Sequence, residues 1–145
     1  MSKSLTDLDL PLVSDVNDSV AWYNQGEALA NAGRYIDALS CFEKVLEIRP
    51  DYAAAWIFRG VVLIHLERYN EALDSCEQAL SLQPKDSEAW TFRGVALHRL
   101  GHYRAAYASY DRALGIKRQP VWQSLMQRLR RAWKSLKNSQ AHWLS

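Results

Sequence analysis

A 34-residue step between identical residues constrains this chain more than any other feature. Trp22, Trp56 and Trp90 are separated by this step. It also relates four further sets of residues, which are Gly26, Gly60 and Gly94; Tyr35, Tyr69 and Tyr103; Ala38, Ala72 and Ala106; and Leu46, Leu80 and Leu114. A fixed period of this length indicates one supersecondary unit that is stacked several times. The repeat therefore predicts a solenoid, and it favours a binding role over catalysis.

Each repeat is predicted to contain two α-helices. In the first repeat, apolar and small residues recur at steps of three and four residues, as at Trp22, Gly26 and Leu29. This spacing is helical, because a half-buried strand would alternate at every second residue. We expect helices at about residues 19–31 and 35–48 of the first repeat, and equivalent helices in the other two.

The residues between the helices predict how each helix ends. Gly33 and Gly101 lie between the two helices of the first and third repeats, where a left-handed residue can end a helix. The second repeat has Glu67 at this position, so we expect its turn to take another geometry. Proline follows the second helix in the first two repeats. Arg118 replaces it in the third repeat, where the second helix is expected to run longer.

The repeated glycines indicate a close helix crossing. Glycine inside a helix costs about 1 kcal/mol relative to alanine. Its presence at Gly26, Gly60 and Gly94 therefore suggests that the two helices of each repeat approach closely there. The small residues expected to face these glycines are Ala38, Ala72 and Ala106.

The pattern Trp-x-x-x-Gly, then Tyr-x-x-Ala, an aromatic residue, Ala-Leu and Pro, resembles the tetratricopeptide repeat. The resemblance covers residues 19–120 and implies an all-α superhelix of three helix-turn-helix repeats followed by a C-terminal solvating helix. The segments it implies are a flexible arm at 1–18, repeats at 19–52, 53–86 and 87–120, a capping helix at 121–137 and a tail at 138–145. Gln25, Arg59 and Arg93 replace the family's usual Leu. We expect their stems to pack while their polar ends reach water.

The resemblance also implies a concave surface, lined by the first helix of every repeat, that holds a peptide or a partner helix. Its predicted lining residues are Tyr23, Asn24, Glu27, Ile57, Phe58, Val61, His65, Thr91, Phe92, Val95, His98 and Arg99. Such a surface suits an amphipathic helix or an extended apolar peptide. The alternative is that Phe58 and Phe92 pack partly within the array.

One known use of this fold is to clamp the C-terminal carboxylates of chaperones with Lys, Asn and Arg side chains. None of the matching residues here is cationic and two are acidic; they are Tyr23, Glu27, Phe58, Glu88 and Phe92. An anionic tail would lose its solvation there without compensation. We therefore do not expect chaperone-tail binding by that mechanism.

Residues 121–137 predict an amphipathic helix. When successive residues are placed at steps of about 100 degrees, its large apolar side chains fall within about 100 degrees of arc. These are Trp122, Leu125, Met126, Leu129, Trp133 and Leu136. The opposite side is basic, and its candidate binding residues are Arg128, Arg131 and Lys134. One interpretation is a cap on the third repeat, and the other is docking to an acidic protein, an anionic membrane or a nucleic acid.

No pattern in the sequence indicates an enzyme. A glycine-rich phosphate loop, a nucleophile elbow and metal-spaced cysteines are all missing from it. His98 and His102 are four residues apart, but Gly101 is expected to end the helix between them. We therefore predict no catalytic residues, no metal site and no cofactor.

These observations predict a non-enzymatic adaptor or scaffold that binds another protein through its groove. Self-assembly through repeat stacking or exchange of the N-terminal arm is one alternative. Anionic-surface binding by the C-terminal helix is the other, although nucleic-acid binding is not expected because the charges of residues 19–120 balance. No apolar run approaches the length of a transmembrane helix, and the N-terminus lacks the pattern of a secretory signal. The expected location is the cytoplasm.

Overall fold

The computed structural model describes residues 13–117 and 121–143, and all regular structure in these ranges is α-helical. The helices are α1 (Val13–Asn31), α2 (Tyr35–Ile48), α3 (Ala53–His65), α4 (Tyr69–Leu82), α5 (Ser87–Arg99), α6 (Tyr103–Ala113) and α7 (Val121–Trp143). The predicted fold class, an all-α array of helix-turn-helix repeats, is confirmed. The chain divides into two units, one through Gly115 and one from Ile116 that contains α7.

The first six helices form three packed pairs, α1 with α2, α3 with α4, and α5 with α6. Each pair packs on the next through α2 with α3 and through α4 with α5. The first helices of successive pairs also touch, α1 with α3 and α3 with α5. Between the described residues of α2, α4 and α6 there is no such contact. The first helices therefore line the inner side of the array, and the second helices lie on its outer side.

One type of turn joins the two helices of every repeat. Gly33 and Gly101 have φ values of 77° and 84°, and Glu67 takes the same left-handed conformation with a φ of 60°. The prediction of another geometry at Glu67 is therefore wrong. The amide of Arg68 donates to the Leu63 carbonyl at 2.9 Å, and the other two turns contain the equivalent hydrogen bond. These bonds use carbonyls that a helix end leaves free, which explains how a residue with a Cβ atom is held there.

Three boundaries differ from those predicted. Helix α1 begins at Val13, so residues 13–18 of the predicted arm are helical, while residues 1–12 lie outside the described part of the chain. Helix α6 does not run longer than its equivalents: it ends at Ala113, and Gly115 follows with a φ of 68°. Helix α7 continues to Trp143 and so includes most of the predicted tail.

The predicted close crossing at the glycines is present. A Cβ atom on Gly26 would lie 2.9 Å from the Phe42 ring, and one on Gly60 would lie 3.0 Å from Cys76 Sγ. The residues that face Gly26, Gly60 and Gly94 are therefore Phe42, Cys76 and Tyr110. The alanines predicted for this role, Ala38, Ala72 and Ala106, are fully buried. Of these three alanines, only Ala72 contributes one of the atoms nearest to a glycine: its carbonyl oxygen lies 3.4 Å from a Cβ atom placed on Gly60.

The repeated tryptophans join each repeat to the one before it. The Trp56 indole N–H donates to the Pro50 carbonyl at 2.8 Å, and the Trp90 indole N–H donates to the Pro84 carbonyl at the same distance. Each bond ties the first helix of one repeat to the chain that leaves the preceding second helix. The indole N–H that each of these bonds needs gives Trp56 and Trp90 a shared structural role.

Candidate functional site

The predicted groove residues lie on α1, α3 and α5, the helices of the inner side. We define the inner face as those predicted residues that keep some exposure, which are Tyr23, Asn24, Glu27, Phe58, Val61, His65, Thr91, Phe92, Val95, His98 and Arg99. Ile57 is not part of it, because this side chain is 5% exposed and packs with Leu80 and Ala89 in a core cluster. The assignment of Ile57 to the groove is therefore wrong.

Tyr23 and Phe58 form an aromatic area that connects the first repeat to the second. Their ring centroids lie 5.6 Å apart in an edge-to-face arrangement. Phe58 also stacks on the fully buried Phe42 at 5.6 Å, and Tyr23 meets the edge of Tyr52 at 5.1 Å. Both rings are half-buried against the first core cluster. Each ring therefore stabilises the array with one part and leaves another part accessible.

Val61 and Phe92 form a second apolar area on the inner face. Both are half-buried, and both pack against the core cluster that contains Ile57 and Leu80. Val95, one turn after Thr91 on α5, is half-buried as well. The alternative of partial packing, raised for Phe58 and Phe92, thus describes both rings.

Polar side chains accompany these areas. His65 is exposed and stacks on Tyr35 at 4.4 Å with nearly parallel rings. His98 is exposed and meets the edge of Tyr103 at 5.1 Å. The other exposed polar residues of the inner face are Asn24, Thr91 and Arg99. The inner face therefore combines half-buried rings with a polar border, as a site for an amphipathic ligand requires.

The electrostatic environment of Tyr23 is negative. Partial burial raises the pKa of its phenol to about 12, and the charges of Glu27 and Glu88 act in the same direction. Glu27 lies on α1 and Glu88 on α5, so carboxylates from the first and third repeats both influence this ring. The inner face at Tyr23 is consequently unfavourable for a further negative charge.

Sequence reasoning missed a cavity of about 690 Å³ on the outer side of the first two repeats. Its apolar lining comes from Leu46, Pro50 and Trp56, and its polar lining residues are Glu43, Glu47, Arg59, Asp74, Glu77 and Gln78. Four of these are acidic, so the cavity has a negative border. A cavity between helices of two repeats has no signal in a single periodic sequence.

Arg59 and Arg93 bridge repeats instead of ending in water. The Arg59 guanidinium donates to the buried Ser75 hydroxyl, and its Nη2 atom lies 3.6 Å from Oε1 of Glu43 in the preceding repeat. Arg93 repeats the arrangement with Ser109, at 2.7 Å, and with Glu77. The two arginine side chains are 18% and 26% exposed, so the prediction that their ends reach water is wrong for both. Because each member of this triad recurs after 34 residues, the sequence held a signal for it.

Helix α7 carries the predicted basic residues Arg128, Arg131 and Lys134, and all three are exposed. The apolar side chains of the same helix are also exposed, at 64% for both Trp122 and Trp133. The capping role assigned to residues 121–137 stays a prediction. No helix in the described part of the chain is both long and apolar enough to cross a membrane.

The predicted absence of a metal site can be examined only where residues are described. Within 13–117 and 121–143, no group of three or more His, Cys, Asp or Glu side chains is arranged to hold a metal ion. His98 lies on α5 and His102 precedes α6, with the left-handed Gly101 between them. This pair therefore does not share a helix face.

Comparison with known proteins identifies the repeat. Two family models, both described as tetratricopeptide repeat, match residues 23–86 and 63–129. No curated protein matches the sequence. Solved structures with a similar fold also match most of the chain.

Three solved structures illustrate this similarity. The second TPR of Spaghetti (RPAP3), bound to the HSP90 peptide SRMEEVD, is 22% identical over 73% of this chain and 100% of its own, with a TM-score of 0.68. The TPR2B-domain:pHsp70 complex of yeast Sti1 is 19% identical over 66% and 77%, with a TM-score of 0.65. MamA from Desulfovibrio magneticus RS-1 is 31% identical over 68% of this chain and 56% of its own, with a TM-score of 0.64.

Proposed function

The chain belongs to the tetratricopeptide repeat family, and from this premise we propose that it is a non-enzymatic adaptor whose inner face binds a peptide or an amphipathic helix of a partner protein. The fold is that of a protein-interaction module, and neighbours with the same fold are in complex with peptides. The proposal adds the location and the chemistry of the binding surface.

One observation carries this proposal: the helices that line the inner side present aromatic and aliphatic side chains that are neither fully buried nor isolated. Tyr23 and Phe58 form one such area, and Val61 and Phe92 form another. Because core packing holds the buried parts of Tyr23, Phe58 and Phe92, these rings lose little conformational freedom when a ligand covers them. An apolar side chain from a partner would gain buried surface at each area.

The charge around Tyr23 supports an apolar ligand over an acidic one. Glu27 and Glu88 both raise the pKa of this phenol, and a peptide carboxylate beside them would be repelled. The second TPR of Spaghetti (RPAP3) is bound to the HSP90 peptide SRMEEVD, and TPR2B of yeast Sti1 is in complex with pHsp70, so likeness of fold gives no support to excluding such tails. Our exclusion depends only on the side chains of this chain. The peptide SRMEEVD is therefore a direct test of it.

The binding site can be mapped with peptides selected from a random library against the purified chain. Backbone amide NMR shifts would then be followed as a selected peptide is added. We expect the largest shifts at Tyr23, Phe58, Val61 and Phe92, and weaker binding of SRMEEVD than of an apolar peptide. Selected sequences should place apolar residues at helical spacing or at alternate positions.

A matched pair of double variants separates the inner face from the outer side. Asn24→Lys with Thr91→Lys adds two long cationic side chains to exposed positions of the inner face. Ser40→Lys with Asn70→Lys adds the same charge at exposed positions of α2 and α4. We expect the first pair to weaken apolar peptide binding roughly tenfold, about 1.4 kcal/mol, and the second pair to leave it unchanged.

Three results would overturn the proposal. The first is that shifts cluster around Trp56 and Glu77 in the outer cavity. The second is that SRMEEVD binds more tightly than every selected apolar peptide. The third is that light scattering shows concentration-dependent self-association that the inner-face variant abolishes, because the occupant would then be a second copy of the chain.

A further inference from the structure

Helix α7 has a charge distribution unlike that of any helix in the repeats. Its 23 residues include five Lys or Arg side chains and one His, and no acidic side chain. By contrast, α1, α2, α4, α5 and α6 each contain at least one Asp or Glu. Helix α3 contains no acidic residue either, but its basic groups are only one arginine and one histidine. The excess of positive over negative charge is therefore concentrated on α7.

The apolar side of α7 is exposed along its length. Trp122, Leu125, Met126, Leu129, Trp133 and Leu136 share about 100 degrees of helical arc and are between 47% and 64% exposed. In the same register, Arg130 and Lys137 border one edge of this arc and Arg128 borders the other. An apolar stripe of four turns between basic borders is far more than the single exposed apolar residues of ordinary protein surfaces.

These two features together match the surface of an anionic bilayer. Apolar side chains with tryptophan enter the boundary between headgroups and acyl chains, and lysine and arginine at the borders extend to the phosphates. The helix is too polar to cross the bilayer. Nucleic acid would use the basic side but would leave the apolar stripe exposed. An acidic protein groove would need to cover both sides of the helix at once.

We propose that α7 binds parallel to the surface of an anionic membrane, with Leu125, Leu129 and Trp133 in the lipid and with Arg128, Arg130 and Lys137 at the headgroups. This role is separate from peptide binding by the inner face. It also differs from the predicted cap, because a cap would bury the same apolar side chains against protein. Membrane binding would place the repeats, and whatever they hold, at a lipid surface.

The test is co-sedimentation of the full chain with vesicles. One vesicle preparation contains phosphatidylcholine with phosphatidylglycerol, and the other contains phosphatidylcholine alone. We expect the chain to sediment with the anionic vesicles and to be partly released by salt. Each removed border charge should weaken binding about fivefold, so Arg128→Gln with Arg130→Gln should weaken it roughly 25-fold.

The matched control removes the same charge from the repeats. Lys85 and Arg104 are both exposed outside α7, and Lys85→Gln with Arg104→Gln should leave sedimentation unchanged. A third variant, Leu125→Gln with Leu129→Gln, keeps every charge and should also lose binding. Thermal unfolding followed by circular dichroism identifies any variant whose repeats no longer fold, and such a variant is replaced by Met126→Gln with Trp133→Gln.

Equal sedimentation with both vesicle types would overturn the proposal, as would sedimentation with neither. It would also be overturned if the leucine variant bound anionic vesicles as well as the parent chain did, because charge alone would then suffice. If a DNA duplex bound the chain with salt sensitivity while the vesicles did not, α7 would be a nucleic-acid surface instead.

Discussion

The Phe42 ring occupies the space that a side chain on Gly26 would need. Two of its ring carbons lie 2.9 Å from the position of a Cβ atom on that glycine. Phe42 is fully buried and is itself held by ring contacts with Tyr23 and Phe58. The helix crossing of the first repeat therefore supports one of the aromatic areas of the inner face.

Replacing this glycine tests the crossing. We expect Gly26→Ala to lower the free energy of unfolding by about 1–3 kcal/mol, because Phe42 cannot move without disturbing the core. The gain of about 1 kcal/mol in helix propensity would offset part of a larger steric cost. Urea unfolding measures the change. As a control, Gly60→Ala should cost less, because it meets a single sulfur at 3.0 Å. A Gly26→Ala chain as stable as its parent would contradict the close crossing.

The bond between Arg93 and Ser109 can be tested with a double-mutant cycle. Ser109 is fully buried, and Arg93→Leu would leave its hydroxyl without the guanidinium that donates to it. We expect this change to cost about 1–3 kcal/mol. In combination with Ser109→Ala the cost should be smaller than the sum of the two single changes. Strictly additive effects would show that the two side chains do not stabilise each other.

The stability of the array should fall at alkaline pH. Burial raises the pKa of the Cys76 thiol from 9.0 to about 12, and burial with nearby carboxylates raises that of Tyr23 from 10.0 to about 12. Both groups are neutral when protonated, so the folded state binds more protons than the unfolded state above pH 9. Stability is therefore complete below pH 9 and decreases as the pH rises towards 12. Unfolding curves of Tyr23→Phe should show a shallower decrease between pH 10 and 12 than those of the parent chain. A parallel decrease in both chains would exclude Tyr23 as a contributor.

Replacing the two phenylalanines of the inner face should affect peptide binding and the stability of the array to different degrees. Phe58→Ala is expected to weaken apolar peptide binding and to destabilise the array, because Phe58 stacks on the buried Phe42. The loss should stay below the about 3–5 kcal/mol of a fully buried phenylalanine, since Phe58 is only partly buried. Phe92→Ala should weaken binding with a smaller change in melting temperature. Both properties would be measured by peptide titration and by thermal unfolding; if both single variants unfolded, these rings would be core residues alone.

Much of the fold followed from residue periodicity. The spacing of apolar residues predicted a helix at residues 35–48, which is the span of α2, because helical packing repeats the same environment every three or four residues. The turn at Glu67 was predicted wrongly, because its conformation does not follow from residue type. Its left-handed turn is stabilised by hydrogen bonds to carbonyls of α3, and residue preference alone underestimates such a constraint.

The candidate site was less predictable than the fold. Ile57 and Phe58 are adjacent, and both matched the family's groove positions, yet Ile57 is buried between repeats. A rotation of about 100 degrees separates adjacent helical residues, so the choice depends on how closely the next pair packs. The same packing turns Arg59 towards Ser75 and Glu43.

The sequence by itself determined the number of helix pairs, the turns within two of these pairs and the close crossing at the three repeated glycines. These features depend on local conformation and on an environment that recurs in every repeat. The tertiary structure decided which inner-side residues keep an accessible surface, where the arginine heads lie and that a cavity opens on the outer side. Those properties arise from contacts between repeats, and residues far apart in the chain share no local signal for them.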